Sequence, residues 1–226
     1  MAIPDGDDLL LAVMASGKGH HCGVARWVRR ADGWCFAAFA PVPEAEGLME
    51  PTLARDSDGA LLFTVRMGDR MPDEAYALRI WRSEDAGANW EKVVNVPETL
   101  DAGPRGVGTA VDGTPFVLGN PVRLDRSYFR EALSLWPLNT ARDGVEPPIV
   151  VRDGPAEFGE APKQYPWRVD HANTAVLRLS DGQWRCVLAL RLYRNDLLTA
   201  EGAPEAVVNA SGLYLEEIQS SGPVRS

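Results

Sequence analysis

Cysteine is scarce in this chain, an excess of basic residues is lacking, and long apolar runs do not occur; each absence removes a class of protein. Three cysteines, Cys22, Cys35 and Cys186, leave at least one unpaired. Their spacing is neither C-x-x-C nor a small disulfide framework, so they read as buried free thiols. A formal charge of -9 and a pI near 4.9 oppose sequence-independent nucleic-acid binding and an anionic-membrane role, since both need a basic face. The only early apolar run, Leu9 to Ala15, follows Asp5, Asp7 and Asp8 instead of lysines or arginines. It is too short to span a bilayer and reads as a strand. The compartment stays open: cytoplasmic for the chain as it stands, secreted if further sequence precedes Met1.

Helical periodicity is also sparse. Seventeen prolines and twenty-one glycines punctuate short runs, which suits strands far better than amphipathic helices. At 226 residues, 45% hydrophobic and 24% charged, the composition is that of an ordinary globular protein. The expectation is an all-β fold.

What the chain does have is an internal repeat. Trp27, Trp81 and Trp136 recur at an almost constant step, and Asp5-Gly6, Asp58-Gly59 and Asp112-Gly113 keep nearly the same one. Asp181-Gly182 follows after a longer insertion. The clearest unit reads as four antiparallel strands: Pro51 to Arg55, Ala60 to Arg66, Tyr76 to Trp81 and Trp90 to Val96. A recurrence on this scale is the signature of propeller blades. A single partial propeller over 1–226 is expected, with blades at about 5–41, 50–97, 104–153 and 170–218, the first lacking its innermost strand.

Ser83, Asp85, Gly87 and Trp90 fit S-x-D-x-G-x-x-W, a pattern called an Asp box. Between two strands each position has its own physical role. Asp85 accepts hydrogen bonds from the turn's backbone, Gly87 supplies a positive φ, and Trp90 packs back beside the hairpin. Glu50-Pro51, then Asp58-Gly59-Ala60-Leu61-Leu62, then Arg66 adds a second match. Together these residues resemble the sialidase superfamily, closely over 50–96 and elsewhere through the blade pattern alone. The resemblance implies a six-bladed sialidase-like propeller, of which this chain would hold about three and a half blades. The remaining N-terminal blades would then lie ahead of Met1 or come from self-association, since propellers protect their edges by closure.

Alternation along the strands places the Asp-Gly turns and the Asp box on one face, which leaves the opposite face for a ligand. That face receives Glu50 and Arg66. The resemblance implies that Glu50 partners a tyrosine nucleophile and that Arg66 belongs to a carboxylate-gripping arginine set; a plain Glu50/Arg66 ion pair is the alternative. A guanidinium fork suits a carboxylate because it can pair bidentately. Arg105, Asn120 and Arg191 reach the same face by strand position, while Arg123, Arg126 and Arg130 lie in the loop after Asn120. The family's tyrosine position is held here by Asn173, with Tyr165 farther upstream. Asp170 and His171 offer another acid/base pair, because a carboxylate can hold an imidazole as a base. His20 and His21 fall on this face as substrate contacts. With Cys22 they suggest zinc, but consecutive residues rarely chelate together and no second ligand pair follows, so no metal or cofactor is expected.

These residues point to a glycoside hydrolase acting on an acidic sugar glycan, with Glu50, Tyr165, Asp170 and His171 as catalytic candidates and Arg66, Arg105, Asn120, Arg191, His20 and His21 as substrate-binding candidates. The alternatives are a non-catalytic carbohydrate-binding propeller and a polysaccharide lyase that uses His171 and Tyr165. A fold by itself does not choose among them.

Overall fold

Asp58-Gly59 and Asp112-Gly113 close their hairpins in the same way. In the computed structural model Asp58 accepts the Ala60 N–H at 3.0 Å, and Asp112 accepts that of Thr114 at 2.9 Å. Gly59 and Gly113 take φ of 93° and 86°, a region open to glycine and strained for other residues. The structure describes residues 2–16, 20–66, 77–97, 99, 105–121, 130–159, 167–178, 183–194 and 212–218.

Four antiparallel sheets follow one another along the chain and form a four-bladed β-propeller. Blade one contains β1 (Ala2–Asp5), β2 (Asp8–Ser16), β3 (His20–Arg30) and β4 (Gly33–Glu46). Blade two contains β5 (Met49–Arg55), β6 (Leu61–Arg66), β7 (Leu78–Ser83) and β8 (Glu91–Val96). Blade three contains β9 (Gly106–Thr109), β10 (Pro115–Gly119), β11 (Ala132–Pro137) and β12 (Ile149–Asp153). A short helix, α1 (Gly154–Phe158), leads to blade four, in which β13 (Trp167–Arg178), β14 (Trp184–Arg194) and β15 (Gly212–Ile218) are described.

The first blade corrects the sequence expectation, for it has an innermost strand. Residues Ala2–Asp5 pair with β2, with Ile3 opposite Leu10 and Asp5 opposite Asp8. Pro4 hid this strand, because a proline within a short run argues against a paired interior strand. On the innermost strand one edge needs no partner, and a missing N–H is tolerated. The count therefore rises from three and a half blades to four sheets.

Side-chain alternation builds the cores between blades. Ile3, Leu10, Cys22 and Val24 of blade one pack with Leu53, Leu61, Phe63 and Trp81 of blade two. Ala54, Leu62, Leu78 and Ile80 form the next core with Val107, Val117 and Trp136. Phe116, Leu118, Leu133 and Leu135 then meet Trp167, Val169, Leu188 and Leu190. Polar ties reinforce the junctions: Val107 donates to Thr52 Oγ1 at 3.1 Å, and the buried Asp56 receives Arg142 Nε at 2.8 Å.

Candidate functional site

The turn face is structural in detail. Ser83 Oγ accepts the Gly87 N–H at 2.9 Å and donates to Asp85 Oδ1 at 2.8 Å, while Asp85 accepts the Asn89 N–H at 2.8 Å. Gly87 takes φ 91°, and Trp90 folds back to donate to Gly87 O at 3.0 Å with its ring 5.5 Å from Phe63. Two clefts open on this side. One, of about 360 Å³, lies where inner strands β1, β5, β9 and β13 converge. The other, of about 470 Å³, is bordered by Arg82, Lys92 and Arg142. Those cations face acidic neighbours: Arg82 pairs with Asp58 and Glu84, Lys92 with Glu44 and Arg142 with Asp56.

On the opposite face a local irregularity recurs. In blade two Met49 is opposite Arg66 and Thr52 is opposite Thr64, so one extra residue is accommodated on β5. In blade four Asp170 is opposite Arg191 and Asn173 is opposite Ala189, the same offset on β13. Each bulge contains a non-glycine residue in the left-handed region, Glu50 at φ 51° and His171 at φ 53°. Such backbone costs about 1–3 kcal/mol and persists only where its surroundings impose it. Bulges of this kind re-aim side chains at sites. Glu50 and His171 are thus structural counterparts: Arg66 of the second strand faces Glu50, and Arg191 of the second strand faces Asp170, the residue before His171.

Counted from the register, Asn120 occupies in blade three the place that Arg66 and Arg191 occupy in blades two and four. The three residues mark one ring position on consecutive blades. Their present contacts differ. Arg66 Nη1 lies 3.4 and 3.5 Å from the Glu50 oxygens, a loose contact at a half-open position. Arg191 is bound more firmly, with Nε 2.9 Å and Nη2 2.8 Å from Asp170 Oδ1. Asn120 is buried, and its amide nitrogen donates to Ala132 O at 2.6 Å and Val169 O at 2.7 Å, which ties blade three to β13.

The remaining candidates fall into three situations. Asp170 has no exposed side-chain surface and faces Arg130 at 3.3 Å as well as Arg191, while the adjacent His171 is turned to solvent. Arg105 is buried and donates to Ala77 O at 2.5 Å, a strut between β9 and the start of β7. His20 and His21 sit at the β2–β3 end, with His20 Nδ1 3.4 Å from Ser16 Oγ and His21 Nδ1 3.6 Å from Glu46 Oε1. Cys22 points away from them into the core, where its thiol donates to Leu48 O and burial pushes its pKa up to about 11. Tyr165, Arg123, Arg126 and the Asp181-Gly182 turn lie outside the described residues. Among the described residues no group of three or more His, Cys, Asp or Glu is placed to hold a metal ion.

Sequence reasoning missed Glu46, which reaches the site edge opposite His21 across β3 and β4. It placed Arg130 only as a member of a loop cluster. The Arg130 signal is the backbone bond from Val169 N to Arg130 O, a contact between distant parts of the chain that no local pattern encodes.

No protein-family model matches the chain, and no curated protein matches its sequence. Among solved structures it is similar to a protein of unknown function from Dyadobacter fermentans DSM 18053, at 12% identity and a TM-score of 0.51. That likeness covers 99% of this chain and 65% of the other, so this chain spans about two thirds of its length. It shows the fold alone. A glucose dehydrogenase matches at 13% identity and a TM-score of 0.42, covering 83% of this chain and 76% of that one. An alpha-L-arabinanase of Penicillium chrysogenum complexed with arabinobiose matches at 14% identity and a TM-score of 0.34, covering 77% and 67%.

Proposed function

We propose that the face bearing Glu50, Arg66, His171 and Arg191 recognises an acidic sugar and that the chain is a sialidase-like glycoside hydrolase. The observation that carries this reading is the repeated bulge: blades two and four each hold a titratable side chain, Glu50 and His171, on strained backbone at the strand end to which the second strand brings an arginine, Arg66 against Glu50 and Arg191 against Asp170. Two guanidiniums from separate blades suit a sugar carboxylate, each forming charge-assisted hydrogen bonds. In this reading Arg66 exchanges its loose contact with Glu50 for the substrate. Glu50 and His171 are the groups that accept and donate protons, and Tyr165 is the nucleophile that Glu50 assists. Asp170, enclosed by Arg191 and Arg130, orients Arg191. Arg105 and Asn120 hold the surrounding frame.

Turnover of a panel of sialosides and uronate glycosides by the full chain, with binding measured in parallel by calorimetry, tests this reading. Glu50→Gln is expected to lower kcat by about 10²–10⁴-fold while binding persists. Arg66→Ala is expected to weaken binding by about 10–100-fold, the loss of a hydrogen bond to a charged group. Failure of the chain to bind any acidic glycan excludes the reading.

The carboxylate contacts favour one alternative, a non-catalytic binding propeller. Glu50 already faces Arg66, and Asp170 is fully enclosed. Glycan binding that survives Glu50→Gln, with no turnover by the unaltered chain, selects that alternative.

A further inference from the structure

Seven Asp-Gly pairs stand in the chain, and six of them, at Asp5, Asp32, Asp58, Asp112, Asp143 and Asp153, lie among the described residues. This dipeptide is open to a reaction with itself, because glycine has no Cβ to shield its backbone nitrogen or restrict its backbone. The glycine nitrogen attacks the aspartic carboxyl carbon. An N–C bond forms, a C–O bond breaks, and the carboxyl oxygen leaves as water with the amide and carboxyl protons. Water then reopens the cyclic imide at either carbonyl. Opening at the main-chain carbonyl leaves the chain running through the side-chain carbon as isoaspartate, with no net change in mass.

The fold separates these chemically identical pairs. The Asp58 carboxylate accepts the Ala60 N–H at 3.0 Å, Asp112 that of Thr114 at 2.9 Å and Asp153 that of Ala156 at 3.1 Å. Asp143 accepts Asn139 Nδ2 at 2.8 Å, and Asp5 receives Arg26 and Arg55. Donors of this kind hold a carboxyl in its ionised form, which resists attack at carbon. Three of the glycine nitrogens are occupied as well: Gly59 donates to Asp56 O at 3.0 Å, Gly113 to Ala110 O at 2.9 Å and Gly154 to Glu131 O at 2.9 Å. Asp32 alone of the six makes no hydrogen bond or ion pair among the described residues. Asp58, Asp112, Asp143 and Asp153 all draw a donor from their own turn or helix start, so the bare Asp32 carboxylate is a property of its own loop.

That loop is Ala31 and Asp32, with Arg30 opposite Gly33 as the end pair of the β3–β4 ladder. Residues 29–34 are all exposed, and a Cβ added at Gly33 would meet nothing within 4 Å. End pairs of a hairpin open at the low end of the range of local stabilities, so the Gly33 nitrogen is released without disturbing the sheet. We propose that Asp32-Gly33 is a site of spontaneous isoaspartate formation and that the partners of the other five described carboxylates protect them from it. Conversion adds a main-chain carbon to the loop that sets Arg29 opposite Trp34, and so loosens the outer hairpin of blade one.

Ageing the full chain at neutral pH, natively and in denaturant, tests this, with isoaspartate located by peptide mapping and electron-transfer fragmentation and counted by an isoaspartyl methyltransferase. In the native chain the peptide holding Asp32-Gly33 is expected to convert about tenfold faster than those holding Asp58-Gly59 and Asp112-Gly113, the ratio that one hydrogen bond to a charged group sets. In denaturant that lead is expected to vanish, because every pair is then equally free. Asp32→Glu lengthens the side chain and disfavours the ring; it is expected to remove the native signal at this loop with an unchanged far-ultraviolet circular dichroism spectrum. Native conversion at any of the other five described pairs that equals or exceeds that at Asp32-Gly33 overturns the proposal. So does the same ranking in denaturant, or a native chain that forms no isoaspartate at this loop while the denatured chain does.

Discussion

Ser83 is buried, and its hydroxyl joins the Gly87 N–H to the Asp85 carboxylate. Ser83→Ala leaves the Gly87 donor without that acceptor, so a loss of about 1–3 kcal/mol is expected in urea unfolding. Asp85 is held down at about 2 by the Asn89 backbone N–H first, then by the Asn89 and Ser83 side chains. A depressed carboxylate pKa stabilises the folded state above the ordinary carboxylate range, and that stabilisation disappears as pH falls through about 2. Asp85→Asn should flatten the acid limb of the stability profile between about pH 4 and pH 2, measured by unfolding at stepped pH. Across the molecule Asp170 faces two guanidiniums from full burial. Asp170→Asn is expected to cost about 1–3 kcal/mol, because the arginines are partly exposed and regain water. If stability is unchanged while sugar binding falls, Asp170 acts on the ligand instead of on Arg191.

Strands rather than single residues determine how the blades approach one another. A Cβ on Gly106 would lie 2.8 Å from Ala172 O, a backbone atom of the next blade that cannot swing aside. Gly106→Ala is therefore expected to destabilise by about 1–3 kcal/mol, read from the midpoint of chemical denaturation. The strands themselves were largely legible: Asp58-Gly59 and Asp112-Gly113 marked the hairpins, and Trp27, Trp81 and Trp136 marked the third strand of three blades. β1 was not, because Pro4 argues against a strand until its innermost position is known. The bulges at Glu50 and His171 were not legible either. An extra residue in one strand is defined only against its partner, and the partners Arg66 and Arg191 stand on the far side of a hairpin from them.

At the scale of the whole molecule, burial decides which groups are chemically available. Cys22 and Cys186 are buried, and desolvation pushes both thiols up to about 11, while Cys35 is only partly covered. A colorimetric thiol reagent at pH 8 is expected to titrate one thiol quickly in the native chain and all three in denaturant, because the thiolate is the reacting form. Repetition, turn chemistry and the all-β class were determined by the sequence alone, since each depends on residues close together along the chain. The tertiary structure alone decided that Glu50 and His171 are counterparts, that Asn120 and Arg105 brace backbone carbonyls, and that Asp170 is enclosed by Arg130 and Arg191. Those facts depend on which strand ends meet across blade junctions, and distances through space between separate blades are not written in any local run of residues.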